Sequence, residues 1–472
     1  MMTMLLVSTL TACKKSFLEI EPKGKLIART TGDYDLLLNN LDLMTFFGSP
    51  HVLMGDEIAA TEVYFTTAPI TSQRLFRWDK DIYDVTEEAG EFNGPLKALY
   101  TYNKIINEVE TSEDGSQQQK NGIRAEALAG RAWVNFFLIN LYGKPYRSAT
   151  AGNDLGFPLI TEATVVNDKF ERASVQAVYD SIIKDLTTAI PMLSKIVFRS
   201  RMSKSAAEAL LGKVYLFMGR PEEALPLLDA AFSDLGGSLI PVGLYDYNQA
   251  MAPGGSFYPL NPVFGPPYPT FQNDQESIYA RQNTNSWAGL NNLAILTKKA
   301  VGLYKSSDLR LNFFSTNPFP SGDAFPEGMR RRLAPNSIQC GFVLPDLYLL
   351  RAEARVRTKD LNGAVADVEM LRSKRMPVTS GDVEIPAADK ADQLNLLKYV
   401  IDERTREFAL TGYRWFDMRR LSVDPLFQSD TYTHTLYLSN GNTQNFALRP
   451  ERLVLRLPLK VTVYNPGMPD NP

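Results

Sequence analysis

The sequence predicts a mainly α-helical protein in which paired helices form a scaffold and one long, irregular insertion interrupts it. Apolar residues recur at three- and four-residue spacing through several long segments, which is the pattern of helices with one buried face. Two of these segments each divide into a helix, a short turn and a second helix. Between the two pairs, residues 236–343 contain many Gly and Pro residues, which exclude long helices and leave long loops with a few short strands.

The composition indicates a globular protein and excludes several classes of function. The chain has 472 residues and a formal net charge of −3, so it has no basic field that would attract nucleic acid. Only two Cys and two His are present, which argues against a disulfide framework, a histidine-based metal site and a Ser-His-Asp triad. We therefore predict a protein that is not an enzyme and that needs no cofactor.

The N-terminus carries a pattern typical of bacterial lipoprotein signals. A short apolar run from Met4 to Leu10 is followed by two small residues and then by Cys13. The apolar run inserts in a bilayer, the small residues suit a peptidase cleft, and only a thiol carries the thioether-linked glyceride. We expect residues 1–12 to be a signal peptide and Cys13 to be lipidated, with several acyl chains for stable anchoring.

The N-terminal part of the scaffold is predicted to span residues 13–235. A short helical pattern starts at Asp33, and a long helix is expected from about Ile123 until Gly143 stops it. Ser174 suits the N-cap of another helix, because its side chain can accept a hydrogen bond from a free backbone amide. These segments are expected to pack side by side through their apolar faces.

The helix pair that follows is similar to a tetratricopeptide repeat. Ser205 and Glu208 match a capping box at the start of its first helix, and Gly219 ends that helix. Pro221 suits the first position of the second helix, where its missing amide hydrogen is not needed. Pro226 lies inside the second helix and is expected to kink it.

A second helix pair of this kind is predicted over residues 344–375, in the C-terminal part, residues 344–472. Arg351 and Arg355 lie among apolar residues there, and no carboxylate on the same helix is well placed to bridge them, so we expect their partners on other helices. A last long helix is expected from about residue 392 to residue 410.

The end of this last helix carries Glu403, Arg404, Arg406 and Glu407 close together. Paired carboxylates can suggest acid–base catalysis, but neighbouring guanidinium groups lower the pKa of a carboxyl group and make it a poor general acid. We therefore interpret the cluster as a structural network of ion pairs, and we expect Trp415 and Phe416 to be core residues.

The insertion, residues 236–343, is the predicted ligand-binding region. Its aromatic residues argue against disorder, and long loops in compact proteins are often functional. Aromatic rings stack on sugar rings while amide and guanidinium groups bond the hydroxyls. The candidates are Trp287, Tyr258, Tyr268, Arg281, Asn283 and Asn285. Trp287 is the best of them, although loop aromatics also serve to pin a loop to its scaffold.

A second candidate zone covers residues 64–83, in which Tyr64, Phe65, Arg74, Trp78 and Tyr83 combine aromatic and polar groups. Trp78 is expected to be structural.

Three stretches in this order resemble the SusD/RagB family of nutrient-binding surface lipoproteins. They are the start Cys13-Lys14-Lys15-Ser16-Phe17-Leu18, the segment from Glu403 that ends in Arg414-Trp415-Phe416-Asp417-Met418-Arg419-Arg420, and the tail with Leu457-Pro458-Leu459 and Asn465-Pro466-Gly467. The resemblance covers nearly the whole chain after Cys13. It implies an all-helical fold whose irregular loops carry the binding site, and no enzymatic activity.

The resemblance also implies a location and partners. The protein is expected at the cell surface, anchored by lipid to the outer membrane, as a lid on a TonB-dependent barrel transporter. It is expected to capture an oligosaccharide or, less often, a peptide. The helix pairs alone admit an alternative, a membrane-anchored protein-interaction module. A pure adaptor does not need an aromatic-rich insertion of this length, which favours nutrient binding.

Overall fold

The structure is a computed structural model, and α-helices dominate it, as the sequence predicts. The strands are short and form small sheets. The residues that the structure describes are 28–47, 50–164, 170–284, 292–333, 337–428 and 430–472.

The N-terminal helices include one long buried helix, α5, which begins at the capping box of Ser116 and Gln119. The capping box places the start of this helix several residues before the expected Ile123. Ser174 caps α6 as predicted, since its Oγ accepts a hydrogen bond from the amide of Ala177. These helices are α1 (Thr31–Leu37), α2 (Glu62–Thr66), α3 (Ile70–Arg77), α4 (Gly90–Glu108), α5 (Gln117–Tyr142) and α6 (Val175–Ala189).

The first repeat-like pair consists of α7 (Lys204–Phe217) and α8 (Pro221–Leu235). The predicted cap at Ser205 is wrong: Ser203 caps α7 by accepting a hydrogen bond from the amide of Ala206, so the helix begins two residues earlier. Pro226 does not interrupt α8, which continues through it. Gly212 lets the two helices approach closely, because a Cβ atom there would lie 2.8 Å from the Leu228 side chain.

Two short helices of the insertion, α9 (Tyr247–Ala250) and α10 (Lys298–Val301), precede the second pair. That pair consists of α11 (Leu344–Arg357) and α12 (Leu361–Ser373).

Arg351 and Arg355 of α11 have partners on other helices, as predicted. Arg351 bonds Asp367 of α12 at 2.5 and 2.9 Å and reaches Asp229 of α8 at 3.2 Å. Arg355 contacts the same two carboxylates at 2.9 and 3.3 Å. Two aspartates and two arginines therefore join both repeat-like pairs into one stack.

The C-terminal helices are α13 (Ala387–Lys390), α14 (Gln393–Glu407), α15 (Tyr413–Leu421) and α16 (Leu459–Tyr464). Gly412 separates α14 from α15 with a φ of +90°, and a Cβ atom at this position would collide with the His51 ring. Trp415 on α15 is fully buried, which confirms its place in the core. Phe416 is half-buried and stacks on His51, with the ring centroids 5.2 Å apart.

The strands of the described residues form three sheets, and two of them connect the insertion to the remainder of the chain. Their order in the sheets is β1-β4-β8, then β11-β10-β2-β5-β7-β6, then β3-β9. The strands are β1 (Thr45–Phe47), β2 (Ile58–Thr61), β3 (Ser277–Tyr279), β4 (Gln282–Thr284), β5 (Ile295–Leu296), β6 (Phe314–Ser315), β7 (Arg330–Arg332), β8 (Ser337–Gln339), β9 (Phe342–Val343), β10 (Thr433–Tyr437) and β11 (Thr443–Ala447).

Candidate ligand-binding site

A cavity of about 190 Å³ lies where the insertion meets the end of α14 and the start of α15. Pockets for drug-sized ligands enclose roughly 300–1,000 Å³, so this cavity suits one ring or one small end group of a longer ligand. Its wall contains a group of aromatic side chains: Tyr245, Tyr247, Phe257, Tyr268, Phe271, Phe313, Phe314, Phe408 and Tyr413.

The rings of the wall support one another. Phe313 lies with its ring centroid 5.5 Å from that of Phe257 and 5.9 Å from that of Tyr268. Tyr245 packs on Phe257 at 4.8 Å. The hydroxyl of Tyr268 donates a hydrogen bond to the carbonyl oxygen of Leu333, which fixes the ring beside the end of β7. The wall is therefore pre-organised, which lowers the conformational entropy lost when a ligand binds.

The rim of the cavity is polar and half-buried. Gln339 donates hydrogen bonds to Ser277 Oγ at 2.9 Å and to the carbonyl oxygen of Phe271 at 3.2 Å. Asp274 accepts hydrogen bonds from the Glu276 amide and from Ser277 Oγ, each at 3.0 Å. The Phe271 ring is half-buried at this rim, with part of its surface open to solvent.

Paired charges lie at the floor of the cavity and directly below it. Arg375 donates to Glu276 at 2.8 Å and to Glu407 at 2.7 Å, and Arg310 donates to Glu407 at 2.9 Å. Burial raises the pKa of Glu276 to about 7, although Arg375 opposes this shift. Burial also acts to raise the pKa of Glu407, but the guanidinium groups of Arg375 and Arg310 outweigh it and lower that pKa.

Glu403 is the centre of this network, which we call the ion-pair network. Its carboxylate accepts from Arg310 at 2.8 Å, from Arg372 at 2.9 Å and from Arg406 at 2.6 Å. Burial raises its pKa, but the three guanidinium groups outweigh burial and hold the pKa well below its usual range. The carboxylate thus stays ionised and bonded, which confirms the structural interpretation of the cluster.

A second branch of the ion-pair network joins α14 and α15 to α11. Arg404 donates to Asp346 at 2.7 Å and to Asp417 at 2.9 Å. Arg420 donates to Asp417 at 2.8 Å and bonds both oxygens of Glu353 at 2.6 and 2.7 Å. Burial raises the pKa of Glu353, but Arg420 and its neighbours overcome this effect and lower the pKa to about 2.

An exposed aromatic surface adjoins the cavity. A tight turn presents Phe264, because Asn261 Oδ1 accepts hydrogen bonds from the amides of Val263 and Phe264 at 2.8 and 3.0 Å. The next residue, Gly265, has a φ of +85°, and a Cβ atom there would lie 2.9 Å from the Leu333 carbonyl oxygen. The Phe264 ring is 59% exposed and packs on Phe319, with centroids 5.6 Å apart.

The predicted ligand-binding residues occupy different places. Tyr268 lies in the cavity wall, and Tyr258 is 47% exposed. Arg281 is only 2% exposed, and its guanidinium donates to the hydroxyls of Tyr279 and Tyr102 and to the carbonyl oxygen of Ser200.

Asn283 is fully buried beside His51, with its Nδ2 atom 3.4 Å from His51 Nε2. The structure therefore places Arg281 and Asn283 inside the protein, away from the surface that a ligand could reach. Trp287, Asn285 and the lipidation candidate Cys13 lie outside the described residues.

The second candidate zone is mainly part of the packing. Trp78 is buried, its indole nitrogen donates to the Met54 carbonyl oxygen at 3.1 Å, and its ring stacks on His434 with centroids 3.7 Å apart. Trp78 is thus structural, as expected. Arg74 likewise bonds the carbonyl oxygen of Ile82 at 3.0 Å.

Several cavity residues were not among the predicted ligand-binding residues. Tyr245, Phe313, Arg332 and Gln339 come from separate segments, and only the fold brings them together. For Arg332 the sequence carried one signal, the run Arg330-Arg331-Arg332. In a strand, successive side chains face opposite sides of the sheet, so Arg332 lies on the same side as Arg330 and opposite to Arg331.

Two further observations concern the membrane and the thiol. Within the described part of the chain, no helix combines the length and apolar character that a bilayer span requires. Cys340 is a free, half-buried thiol, and burial raises its pKa to about 12 despite the nearby Arg281. This thiol therefore remains protonated at neutral pH, as expected for an inert cysteine.

Comparison with known proteins identifies the family. A model of SusD-like proteins, described as starch-binding and associating with outer membrane, matches residues 16–216, and a model of the SusD family matches residues 344–472. These two matches together cover more than half of the chain. The protein belongs to the SusD/RagB family.

Solved structures share the fold. A SusD superfamily protein from Bacteroides vulgatus ATCC 8482 has a TM-score of 0.70 and 22% identity, with 94% of this chain and 99% of that chain covered. A SusD superfamily protein from Bacteroides thetaiotaomicron VPI-5482 has a TM-score of 0.69 and 19% identity, with 94% of this chain and 100% of that chain covered. A SusD-like carbohydrate binding protein from Bacteroides vulgatus ATCC 8482 has a TM-score of 0.64 and 16% identity, with 93% of this chain and 97% of that chain covered. No curated protein matches the chain in the corresponding comparison.

Proposed function

We propose that this protein is a cell-surface lipoprotein that binds a glycan in the cavity of the insertion and delivers it to a TonB-dependent outer-membrane transporter. The family and the fold support a binding protein that is not an enzyme. The observation that carries the proposal is the aromatic wall of the cavity, with its polar rim. Rings of this kind stack on the C–H face of a sugar, while the rim groups bond its hydroxyls.

The aromatic surface around Phe264 and Phe319 extends the site for a longer ligand. The Phe264 turn lies directly beside Tyr268, since a Cβ atom on Gly265 would lie 3.3 Å from the Tyr268 ring. An oligosaccharide can therefore place one ring in the cavity and further rings on the exposed surface. Tyr258, Trp287 and Asn285 remain predicted ligand-binding residues.

The proposal is tested by calorimetric titration of a soluble form that lacks residues 1–13, with a glycan selected from an array. Phe271→Ala removes a half-buried ring at the rim, and we expect the affinity to fall roughly tenfold, as for the loss of one stacking partner. Tyr464→Ala removes a ring that is 72% exposed on α16, and it serves as the matched control. Unchanged affinity in Phe271→Ala, or failure to bind any glycan, would contradict the proposal.

The same soluble form tests the role of Trp287. Trp287→Ala is expected to lower the affinity for the selected glycan roughly tenfold, because Trp287 is predicted to stack on a sugar ring. Equal affinities of Trp287→Ala and the wild type in calorimetry would remove Trp287 from the site.

The location and the transporter partner rest on Cys13 and on the family. Mass spectrometry of the protein from a native host should find acyl chains on Cys13, and Cys13→Ala should abolish them. A large barrel protein is expected to co-purify with the lipidated protein. A soluble partner in its place would support the alternative, a membrane-anchored interaction module, which the stacked repeat-like helix pairs favour.

A further inference from the structure

We propose that the cavity binds an acidic sugar, a uronic acid residue of the glycan, whose carboxylate pairs with the guanidinium group of Arg332. This inference rests on the proposed glycan-binding function and adds the charge of the sugar that enters the cavity. It stands on the position of Arg332, on its partners and on the contrast with the other arginines of the same cavity.

Arg332 ends strand β7 and lines the cavity beside Tyr268. Its Nη1 atom donates to the Ala409 carbonyl oxygen at 2.7 Å. Its Nε atom is buried and has no hydrogen-bond acceptor in the described part of the chain. Among the residues that the structure describes, no Asp or Glu forms an ion pair with this guanidinium group.

The segments outside the described residues that lie nearest in sequence do not supply the missing carboxylate. Residues 334–336, which follow Leu333, are Ala-Pro-Asn, and residues 285–291 also contain neither Asp nor Glu. The cavity therefore contains a positive charge that these neighbouring parts of the chain cannot neutralise.

The other arginines of this cavity are matched. Arg310 bonds Asp308, Glu403 and Glu407, and Arg406 bonds Glu403. Arg375, below the floor, bonds two carboxylates in the same way. For Arg332 the Ala409 carbonyl oxygen replaces only part of the hydration lost on burial, and no carboxylate balances the charge, so an anionic ligand is favoured.

The chemistry of the cavity selects a carboxylate on a ring. A planar guanidinium group matches the two oxygens of a carboxylate in a bidentate, charge-assisted pair. Tyr268 is held beside Arg332 by its hydrogen bond to Leu333, and Phe313 lies behind it with centroids 5.9 Å apart. A uronic acid residue can stack its ring on Tyr268 while its carboxylate reaches Arg332.

The test uses NMR titration of the soluble form with glucuronate and galacturonate, and with the methyl ester of each acid. The wild type is expected to bind at least one acid about tenfold or more tightly than its ester, as for a hydrogen-bonded charge pair. Arg332→Gln should abolish this preference, and Arg332→Lys should retain part of it. Arg330→Gln removes the same charge from the same strand outside the cavity, and it should leave the preference unchanged.

The outcomes separate this inference from the proposed function. If acid and ester bind equally to the wild type, and Phe271→Ala weakens both, the protein binds glycans and the role of Arg332 is overturned. If an N-acetylated tripeptide with a free carboxylate binds through Arg332 and no sugar binds, the anion site stands but both the acidic sugar and the glycan-binding function are overturned. If Arg332→Gln still prefers the acid over its ester, the inference is overturned as well. Binding by this variant also shows that it is folded, so this outcome needs no comparison of stabilities.

Discussion

The ion-pair network and the cavity beside it are built from the same kinds of residue, yet they differ in how their charges are matched. In the ion-pair network each of Arg310, Arg372, Arg404, Arg406 and Arg420 has a carboxylate partner. In the cavity wall Arg332 has none among the described residues. Matched buried charges hold elements together, whereas an unmatched charge that lines a cavity can pair with an anionic ligand.

Aromatic residues at the turn between α14 and α15 and those at the rim of the cavity also have different roles. Phe408 and Tyr413 stack on each other with centroids 4.2 Å apart, which fixes the turn between α14 and α15. Phe271 and Phe264 are half-buried and 59% exposed, respectively, and lie at the rim and beside it. Exposed apolar rings of this kind cost free energy in the unbound protein, and burial by a ligand recovers it.

The largest expected effect is on the ion-pair network. Glu403→Gln should lower the free energy of unfolding by roughly 4 kcal/mol, because three buried guanidinium groups lose their common partner. Urea denaturation of the soluble form measures this change. Glu384→Gln, at a side chain that is 80% exposed, is the control and should change the stability little. Equal effects of the two substitutions would show that the ion-pair network is not structural.

Two arginines of the same cavity are expected to contribute differently to stability. Arg310→Met should lower the free energy of unfolding by about 3 kcal/mol, since it leaves three carboxylates short of a partner. Arg332→Met should change it by less than about 1 kcal/mol, because no carboxylate loses a partner. Both line the same cavity, so thermal or urea unfolding compares them directly. A larger loss in Arg332→Met than in Arg310→Met would reverse our assignment of the two residues.

The pH dependence of stability reports the second branch of the ion-pair network. The pKa of Glu353 lies at about 2 in the folded protein, below its ordinary value of 4.5. A carboxyl group whose pKa is lowered by folding stabilises the fold at every pH above the pKa that it has in the unfolded chain. This contribution is lost as the pH falls from 4.5 towards 2. We expect the wild type to lose on the order of 2 kcal/mol from this residue in that window. Glu353→Gln should show a shallower acid dependence, and an unchanged profile would contradict the assigned pairing.

The smallest expected effect on stability is at the rim of the cavity. Phe271→Ala should change the free energy of unfolding by less than about 1 kcal/mol, because the ring is only half-buried. The same substitution is expected to weaken glycan binding, so stability and affinity should separate. If melting curves show a loss as large as that of Arg310→Met, Phe271 belongs to the core.

Much of the scaffold could be predicted because its signals are local. Ser174 caps α6 as the sequence indicated, and Arg351 bonds partners on other helices as its neighbours implied. The cap of α7 was misplaced because Ser203 and Ser205 are both suitable caps, and only the backbone geometry shows which serine accepts the bond. α8 continues through Pro226, and the kink expected there stays a prediction.

The site was harder to predict, because it depends on contacts between distant segments. Arg281 is a polar residue in a polar segment, which is typical of ligand-binding residues, but the fold buries it beside Tyr279 and Tyr102. The local sequence separates Arg332 from Arg310 only in part, since Asp308 lies two residues before Arg310 and bonds it. The other partners of Arg310, Glu403 and Glu407, come from α14, and only the fold brings them near.

The most direct test of the central claim is a crystal structure of the soluble form with the glycan selected from the array. We predict a sugar ring in the cavity, in contact with Tyr268 and Phe271, and further rings towards Phe264. A glycan bound to the helix pairs, with the cavity unoccupied, would contradict the account.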